Sequence, residues 1–517
     1  MTDQGDQDGA RLDRAELQNR AVRGVAWTMI HTVVSVPVAF LVNLLLARVL
    51  EPEGYGRLAF LTEVITIAGG ILALGLTSAM IQFGSKAHIA GRTSEVSDLL
   101  SSSQGFRLLV VAPVLTLLVL LLIDVPWLLL AVAIAFGVWL PALLDGAPIT
   151  LFIENKTATG AKIAMVSSLA VQVGVVTSVL WIGTADSVWA ARIVVTALGI
   201  GLALPAISPR YRRAVLRPRL PRHFPPGFWR FAIPTGIAGL VGSLVVSRTE
   251  VLFLEWLSTP TQVGLFALAF GVSSHVFAPA QALTGPLMPA ISGLREISPD
   301  HVAEALHRTL RVSSTTAALL VTSAIPALAL LLPTLYGDDF SGAAGAVIAL
   351  GVVGGLAIST GPVTAFVLAR LSGRHLLMAN VGALVVDIVL AVALIPSMGL
   401  WGAVIANAVG TITRLTTLLV TEIRSLDLQV GATAFGLLPA VIAAGVCVAS
   451  WSTAAMLPVH PLVQALAAAV VSVGLLVLGL RTTSSGLTHS DAEALLRNVP
   501  ARLERPGRIV AAALTTR

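Results

Sequence analysis

A few ionisable side chains stand inside stretches that are otherwise apolar, and these are the residues that could do chemistry. Arg248 and Glu250 lie in the run 230–254, Glu63 in 56–81, Arg192 in 187–206 and Asp387 in 375–396. An arginine at such a place can grip a phosphate or an acidic sugar through paired N–H bonds. A carboxylate there can take up a coupling cation or a proton, or it can neutralise a nearby arginine. Arg248 lies roughly eighteen residues beyond the start of its run, which is ~27 Å of helical rise, so it is deep by any boundary. Residues 248 and 250 point ~200° apart on a helix, so both cannot face one cleft squarely; Arg248 is placed on a substrate cavity because phosphate and acidic sugars need a cation, and Glu250 on a partner within its own bundle. Arg48 either reaches the outer surface or lines the same cavity, with Asn43 and His31 further in along one helix. Glu63 calls for a donor, and Arg48 and Arg57 are in range. His275 is a further cavity candidate. Arg192 has Asp186 about a turn and a half away as a structural partner. Asp387 either pairs inside its bundle or binds the coupling ion.

The elements that must position these groups are membrane-spanning helices. Mean hydropathy is +0.88, and only 12% of the 517 residues are charged. Hydropathy picks out about fourteen segments of spanning length. They run at 24–46, 56–81, 106–123, 127–148, 161–183, 187–206, 230–254, 263–290, 311–333, 342–369, 375–396, 400–421, 432–452 and 461–480. All are expected to be α-helical, because lipid offers no partner to a free backbone amide or carbonyl. Prolines inside them predict kinks, most of all in 263–290, which holds Pro279, Pro286 and Pro289.

The basic residues confirm the spacing by alternation. Of the 33 Lys and Arg, 29 lie in the N-terminal tail, the even-numbered connections with their adjoining helix ends, and the C-terminal tail. The exceptions are Arg48 and Arg57 in the first connection, and Arg192 and Arg248 inside apolar runs. Positive charge marks the cytoplasmic side, so both termini are expected there. The net charge of +6 is thereby explained without nucleic acid. Residues 1–20 are polar and do not read as a cleavable leader. The lone cysteine, Cys447, allows no intramolecular disulfide and no metal cluster. There is no nucleotide-binding loop, no HExxH and no paired-cysteine motif. Neither a cofactor nor a metal is expected, and no catalytic residue is assigned.

The connection 206–230 carries Arg210, Arg212, Arg213, Arg217, Arg219 and Arg222 amid prolines. It reads as a cytoplasmic linker held by anionic headgroups, or as a direct contact for a phosphorylated substrate. It divides the first twelve spans into two sets of six that look related. Pro52, Gly56 and Ala59 match Pro260, Gly264 and Ala267 at one offset, and SVWAA from Ser187 matches GLWGA from Gly399 at nearly the same offset. Duplication of an even number of spans makes a parallel repeat.

Three stretches carry a resemblance: LLLARVLEPEGYGRLAF at 44–60, LLPTLYGDDFSGAAGAVIAL at 331–350 and IPSMGLWGAVIANAVG at 395–410. They resemble the Wzx-type lipid-linked oligosaccharide flippases, or polysaccharide transporters, of the superfamily that includes multidrug-and-toxin extruders and lipid II flippases. The likeness covers most of residues 20–425. It implies an all-α polytopic protein with two pseudo-symmetric six-helix lobes in a V-shape and two added C-terminal helices. The corresponding division is a tail at 1–20, lobes at 21–205 and 230–425, a linker at 206–229, helices thirteen and fourteen within 426–480, and a tail at 481–517. It also implies a bacterial inner-membrane protein, not an enzyme, that exports a polyprenyl-diphosphate-linked glycan. The partners implied are membrane lipids and the polymerase and glycosyltransferases of the same pathway. The competing readings are a cation-coupled multidrug antiporter, a lipid II flippase, and a membrane glycan polymerase, ligase or glycosyltransferase. The short odd-numbered connections speak against the enzymes.

Reporter fusions at Asp124, Asp186, Asp338 and His460 are expected to read outside, and one at Arg217 inside. A cytoplasmic signal at Asp338 would break the assigned topology.

Overall fold

The computed structural model describes residues 14–73, 75–221, 224–246, 249–281, 291, 294–370, 373–496 and 504–516. The described residues form helices and no strand, apart from one isolated bridge between Leu487 and Thr515. Eleven of these helices are long and apolar enough to cross a membrane, as expected where the solvent leaves backbone groups only internal partners. The chain falls into two compact units, Met1–Leu240 and Val241–Arg517.

The first unit opens with α1, Arg14–Ala73, which is broken at Glu51 (φ 56°, ψ 176°). The break has a local cause. Pro52 disfavours the helical conformation in the residue before it and brings no N–H to the ladder. Two expected spans thus appear as one long helix with a sharp interruption. Then come α2 (Leu76–Ile89), α3 (Thr93–Phe106) and, after a π-helical turn at Arg107–Val111, α4 (Ala112–Leu122). Next are α5 (Trp127–Val132), a second π-helical stretch, α6 (Leu140–Leu144) and α7 (Gly146–Ile153). The unit is completed by α8 (Thr157–Trp181), α9 (Ala185–Gly201), α10 (Pro209–Leu216) and most of α11 (Phe228–Val246), in which the division between the units falls.

Two expectations change here. The span expected at 56–81 is interrupted before α2, where Gly75 adopts φ +68°. A Cβ at Gly75 would run into the Ala232 carbonyl oxygen and the Gly236 backbone, so a glycine is required for α11 to pass this close. The third span starts at Thr93, thirteen residues ahead of the hydropathy boundary at 106. The added turns escaped hydropathy because they are amphipathic and bury Val96, Leu99 and Leu100 against protein. The basic linker contains a short helix. Its α10 buries Tyr211 and Val215 in a core with Leu76, Met80, Leu99, Leu100 and Phe228. Tyr211 also meets His88 at 2.9 Å. Burial pushes the Tyr211 phenol up to about 12 and holds the His88 imidazole below its ordinary value, so both stay neutral at physiological pH.

The second unit contains α12 (Glu250–Leu257), α13 (Pro260–Gln281), α14 (Val302–Tyr336) and α15 (Ala344–Ala369). It continues with α16 (Gly373–Met398), α17 (Leu400–Ser425), α18 (Val430–Ala455) and α19 (Pro461–Thr483). Two short helices, α20 (His489–Leu496) and α21 (Glu504–Leu514), follow. The long α14 packs against α15, α18 and α19. Its lower end is tied down by Asp491, whose buried carboxylate accepts from Arg308 at 2.6 Å and from Arg311 at 2.7 Å. The spans expected at 230–254 and 263–290 include residues outside the described ones, among them Pro286 and Pro289. These two spans, with the merged α1, are where eleven differs from the expected fourteen.

The matching stretches noted in the sequence fall near helix starts in each unit. Pro52 restarts a helix after a break, and Pro260 opens α13. Trp189, the fifth residue of α9, is buried, whereas Trp401, the second residue of α17, is exposed.

Substituting Gly75 by Ala should lower the thermal midpoint of the purified protein much more than Gly91→Ala. Gly91 also has positive φ (+73°) but open space around it, so its change costs about 1–2 kcal/mol of backbone strain. Gly75→Ala adds an overpacking cost of about 1–3 kcal/mol. Equal shifts would refute the close approach.

Candidate functional site

The most concentrated polar chemistry in an apolar setting lies in the second unit, at the junction of α12, α16 and α17. Glu250, at the start of α12, is 1% exposed and Asp387 on α16 is 5% exposed. The backbone brings them together through glycines. A Cβ on Gly410 would stand 3.0 Å from that of Asp387, and one on Gly402 would press on the Leu394 backbone, so α16 and α17 approach closely along their length. Asn407 Nδ2 donates to Glu250 Oε1 at 2.7 Å. The Thr249 hydroxyl donates to Asp387 Oδ2 at 3.3 Å. The two carboxyls are within hydrogen-bonding reach of each other, while Glu250 Oε2 and Asp387 Oδ1 are buried with no donor from another residue.

Two carboxylates this close in apolar surroundings cannot both stand bare. One proton held between them satisfies the geometry, and so would one hard cation, since every ligating atom on offer is oxygen. Among the described residues no group of three or more His, Cys, Asp or Glu is arranged for a metal. The site borders a cavity of about 300 Å³ lined by Ser273, Ser274, Asn407, Thr411 and Arg414. Arg414 Nε donates to Asn380 Oδ1 at 2.7 Å. Arg414, which the sequence analysis did not single out as a site residue, therefore belongs to a polar interior. Its spacing was a usable signal: 407, 411 and 414 fall on one helical face, as do 380 and 387.

Glu250 and Asp387 are thus joined, and each has a partner inside its own unit. His275, on α13, donates Nδ1–H to the Gly271 carbonyl at 2.5 Å. Arg248 lies outside the described residues. In the first unit, Glu63 is buried, Asn43 and His31 are half-buried and Arg48 is exposed. His31 lines a cavity of about 560 Å³ with Thr28, Ser167 and Thr196. Both Asp186 oxygens take Arg57, at 2.6 and 3.1 Å. Arg57 also donates to the Asp124 carbonyl at 2.7 Å. It thereby ties the end of α9 and the turn after α4 to α1, which no local spacing could have disclosed. Arg107 and Asp145 form a further ion pair between neighbouring spans.

Asn407→Ala should destabilise the protein by about 1–3 kcal/mol, because it strips a buried carboxyl of its donor. The same change in a Glu250→Ala background should cost clearly less, as read from thermal unfolding of both pairs. Strict additivity would show that the Asn407–Glu250 bond contributes nothing.

With this geometry established, comparison with known proteins is informative. A family model described as polysaccharide biosynthesis protein matches residues 21–294. A comparison with curated proteins finds no match. Among solved structures, the lipid II flippase MurJ in an inward closed conformation aligns with a TM-score of 0.63 at 14% identity, over 88% of this chain and 99% of that one. An inward-facing multidrug resistance MATE family transporter of the MOP superfamily aligns at 0.53 and 16% identity, over 79% and 99%. The eukaryotic MATE transporter AtDTX14 aligns at 0.53 and 14%, over 82% and 99%. At these identities the likeness is one of fold. It makes the chain a multi-pass membrane protein built like known transporters.

Proposed function

The chain belongs to the polysaccharide biosynthesis protein family, and on that premise we propose that it is a flippase. It carries a polyprenyl-diphosphate-linked oligosaccharide across the cytoplasmic membrane by alternating access, for cell-surface polysaccharide. The observation that carries this reading is a flippase-type fold in a chain of that family. A charged glycan headgroup cannot cross hydrocarbon unaided, so the protein must offer it a polar route while the polyprenyl tail stays in lipid. We assign the headgroup to Arg248, with Arg48 nearer the exit, because a diphosphate calls for the planar guanidinium fork. The Glu250–Asp387 pair supplies the coupling site: loading or releasing one proton or cation there changes the charge of a buried pair, and with it the packing of α12 against α16 and α17. The polymerase and glycosyltransferases of the same pathway are its expected neighbours.

The carboxyl pair also favours a second reading, a cation-coupled multidrug antiporter, and one experiment separates the two. The protein reconstituted with lipid-linked glycans is expected to move them across the bilayer, and not to exchange cationic dyes for protons. Arg248→Ala should lower glycan movement at unchanged membrane abundance, and Arg248→Lys should restore only part of it. Asp387→Asn should abolish the dependence on an imposed ion gradient. Dye exchange without glycan movement would overturn the flippase assignment.

A further inference from the structure

The basic connection between the sixth and seventh expected spans builds a pocket. α10 has two faces: Tyr211 and Val215 are buried in the core of the first unit, while Arg210 and Arg213, with Arg217 just past the helix end, recur at intervals of three and four and are exposed. After α10 the chain folds back along α3. The Arg219 N–H donates to the Ser101 carbonyl at 3.0 Å, and Gly105 admits the Arg219 backbone at a distance no Cβ would allow. Arg219 is held in turn by Asp98 at 3.0 Å. The result is a pocket of about 170 Å³ lined by Asp98, Ser101, Arg210, Arg213, Arg217 and Arg219.

The charge in this pocket is unbalanced. Asp98 is its single carboxylate, and Arg219 occupies it. Arg210, Arg213 and Arg217 have no hydrogen-bond or ion-pair partner among the described residues. Like charges at one turn's spacing repel, and here the helix that carries them is pinned by its buried face, so they cannot disperse as they would on a loose tether. An anion with several acceptor oxygens relieves that repulsion, and guanidinium groups match phosphate oxygens.

The surroundings identify the source of the phosphate. α3 leads without a break into a span, Thr93–Leu122, so the pocket lies where that span leaves the bilayer. Leu216 and Leu220 beside the arginines are 45% and 56% exposed. Apolar side chains flanking a basic cluster at a span's end match the acyl–headgroup boundary. We propose that this pocket is a specific binding site for the phosphate group of an anionic phospholipid, in the leaflet on the side of the basic connections. It would dock α10 to that leaflet whatever the protein transports.

The test uses the purified full-length protein in a neutral detergent, with its thermal midpoint followed during titration. The probes are dioctanoyl phosphatidic acid, dioctanoyl phosphatidylcholine and inorganic phosphate. Phosphatidic acid should raise the midpoint saturably and phosphatidylcholine should not. Arg210→Gln, Arg213→Gln and Arg217→Gln should each weaken the apparent affinity about tenfold, as expected for loss of one charge-assisted contact. Arg230→Gln removes the same charge from the start of α11, outside the pocket, and should leave the affinity unchanged. Equal weakening by Arg230→Gln would reduce the effect to diffuse attraction and overturn the site. Equal potency of inorganic phosphate would overturn the lipid assignment. The ligand-free midpoint of the three variants should hold or rise as repulsion is relieved. A fall would mean that these arginines are structural and would also refute the proposal.

Discussion

Charge in an apolar medium must be neutralised where it stands, and this constraint organises both units. An isolated ion buried in protein or hydrocarbon costs several kcal/mol even after relaxation. Several of the described ion pairs therefore join different helices. Arg57 reaches Asp186, Arg107 reaches Asp145, and the fully buried Glu422 is met by Arg295 and Arg370 at 3.4 and 2.9 Å. Each pair fixes one helix end against another. Such pairs add little net stability over apolar packing, but losing one partner is expensive, so they specify which helices neighbour which.

The Glu250–Asp387 site is the exception that this rule makes visible. Its two charges have the same sign, and its donors, Asn407 and Thr249, are neutral. Neutral donors orient carboxyls without cancelling them, which is why the proposed function places the coupling proton or cation at this pair. That placement suits a transporter better than a static scaffold. A group whose occupancy can change is what lets an ion gradient bias a conformational equilibrium.

The basic side of the first unit answers the same constraint differently. There Arg210, Arg213 and Arg217 stay exposed, and α10 buries only its apolar face. A stretch that composition alone describes as a charged, proline-rich linker is thus an ordered element with a defined pocket. The C-terminal segment is treated similarly, with Asp491 bonded to Arg308 and Arg311 on α14.

The sequence by itself determined the helical class, the approximate spans and the residues that had to be exceptional. These follow from hydropathy and from local helical spacing, and in lipid the backbone has no alternative to the helix. It also pointed to Glu250 and Asp387, because carboxylates in apolar runs stand out one residue at a time. Tertiary structure alone decided the partners. Asn407 lies 157 residues from Glu250 and Asp186 lies 129 from Arg57, separations over which no periodicity carries information. Tertiary structure also decided the interruption at Gly75, which is set by the backbone of α11 passing nearby, and the start of α3 at Thr93, where protein rather than lipid covers the apolar face. Hydropathy reports how much a segment avoids water. It does not report what covers the segment, and that is settled only when the helices pack.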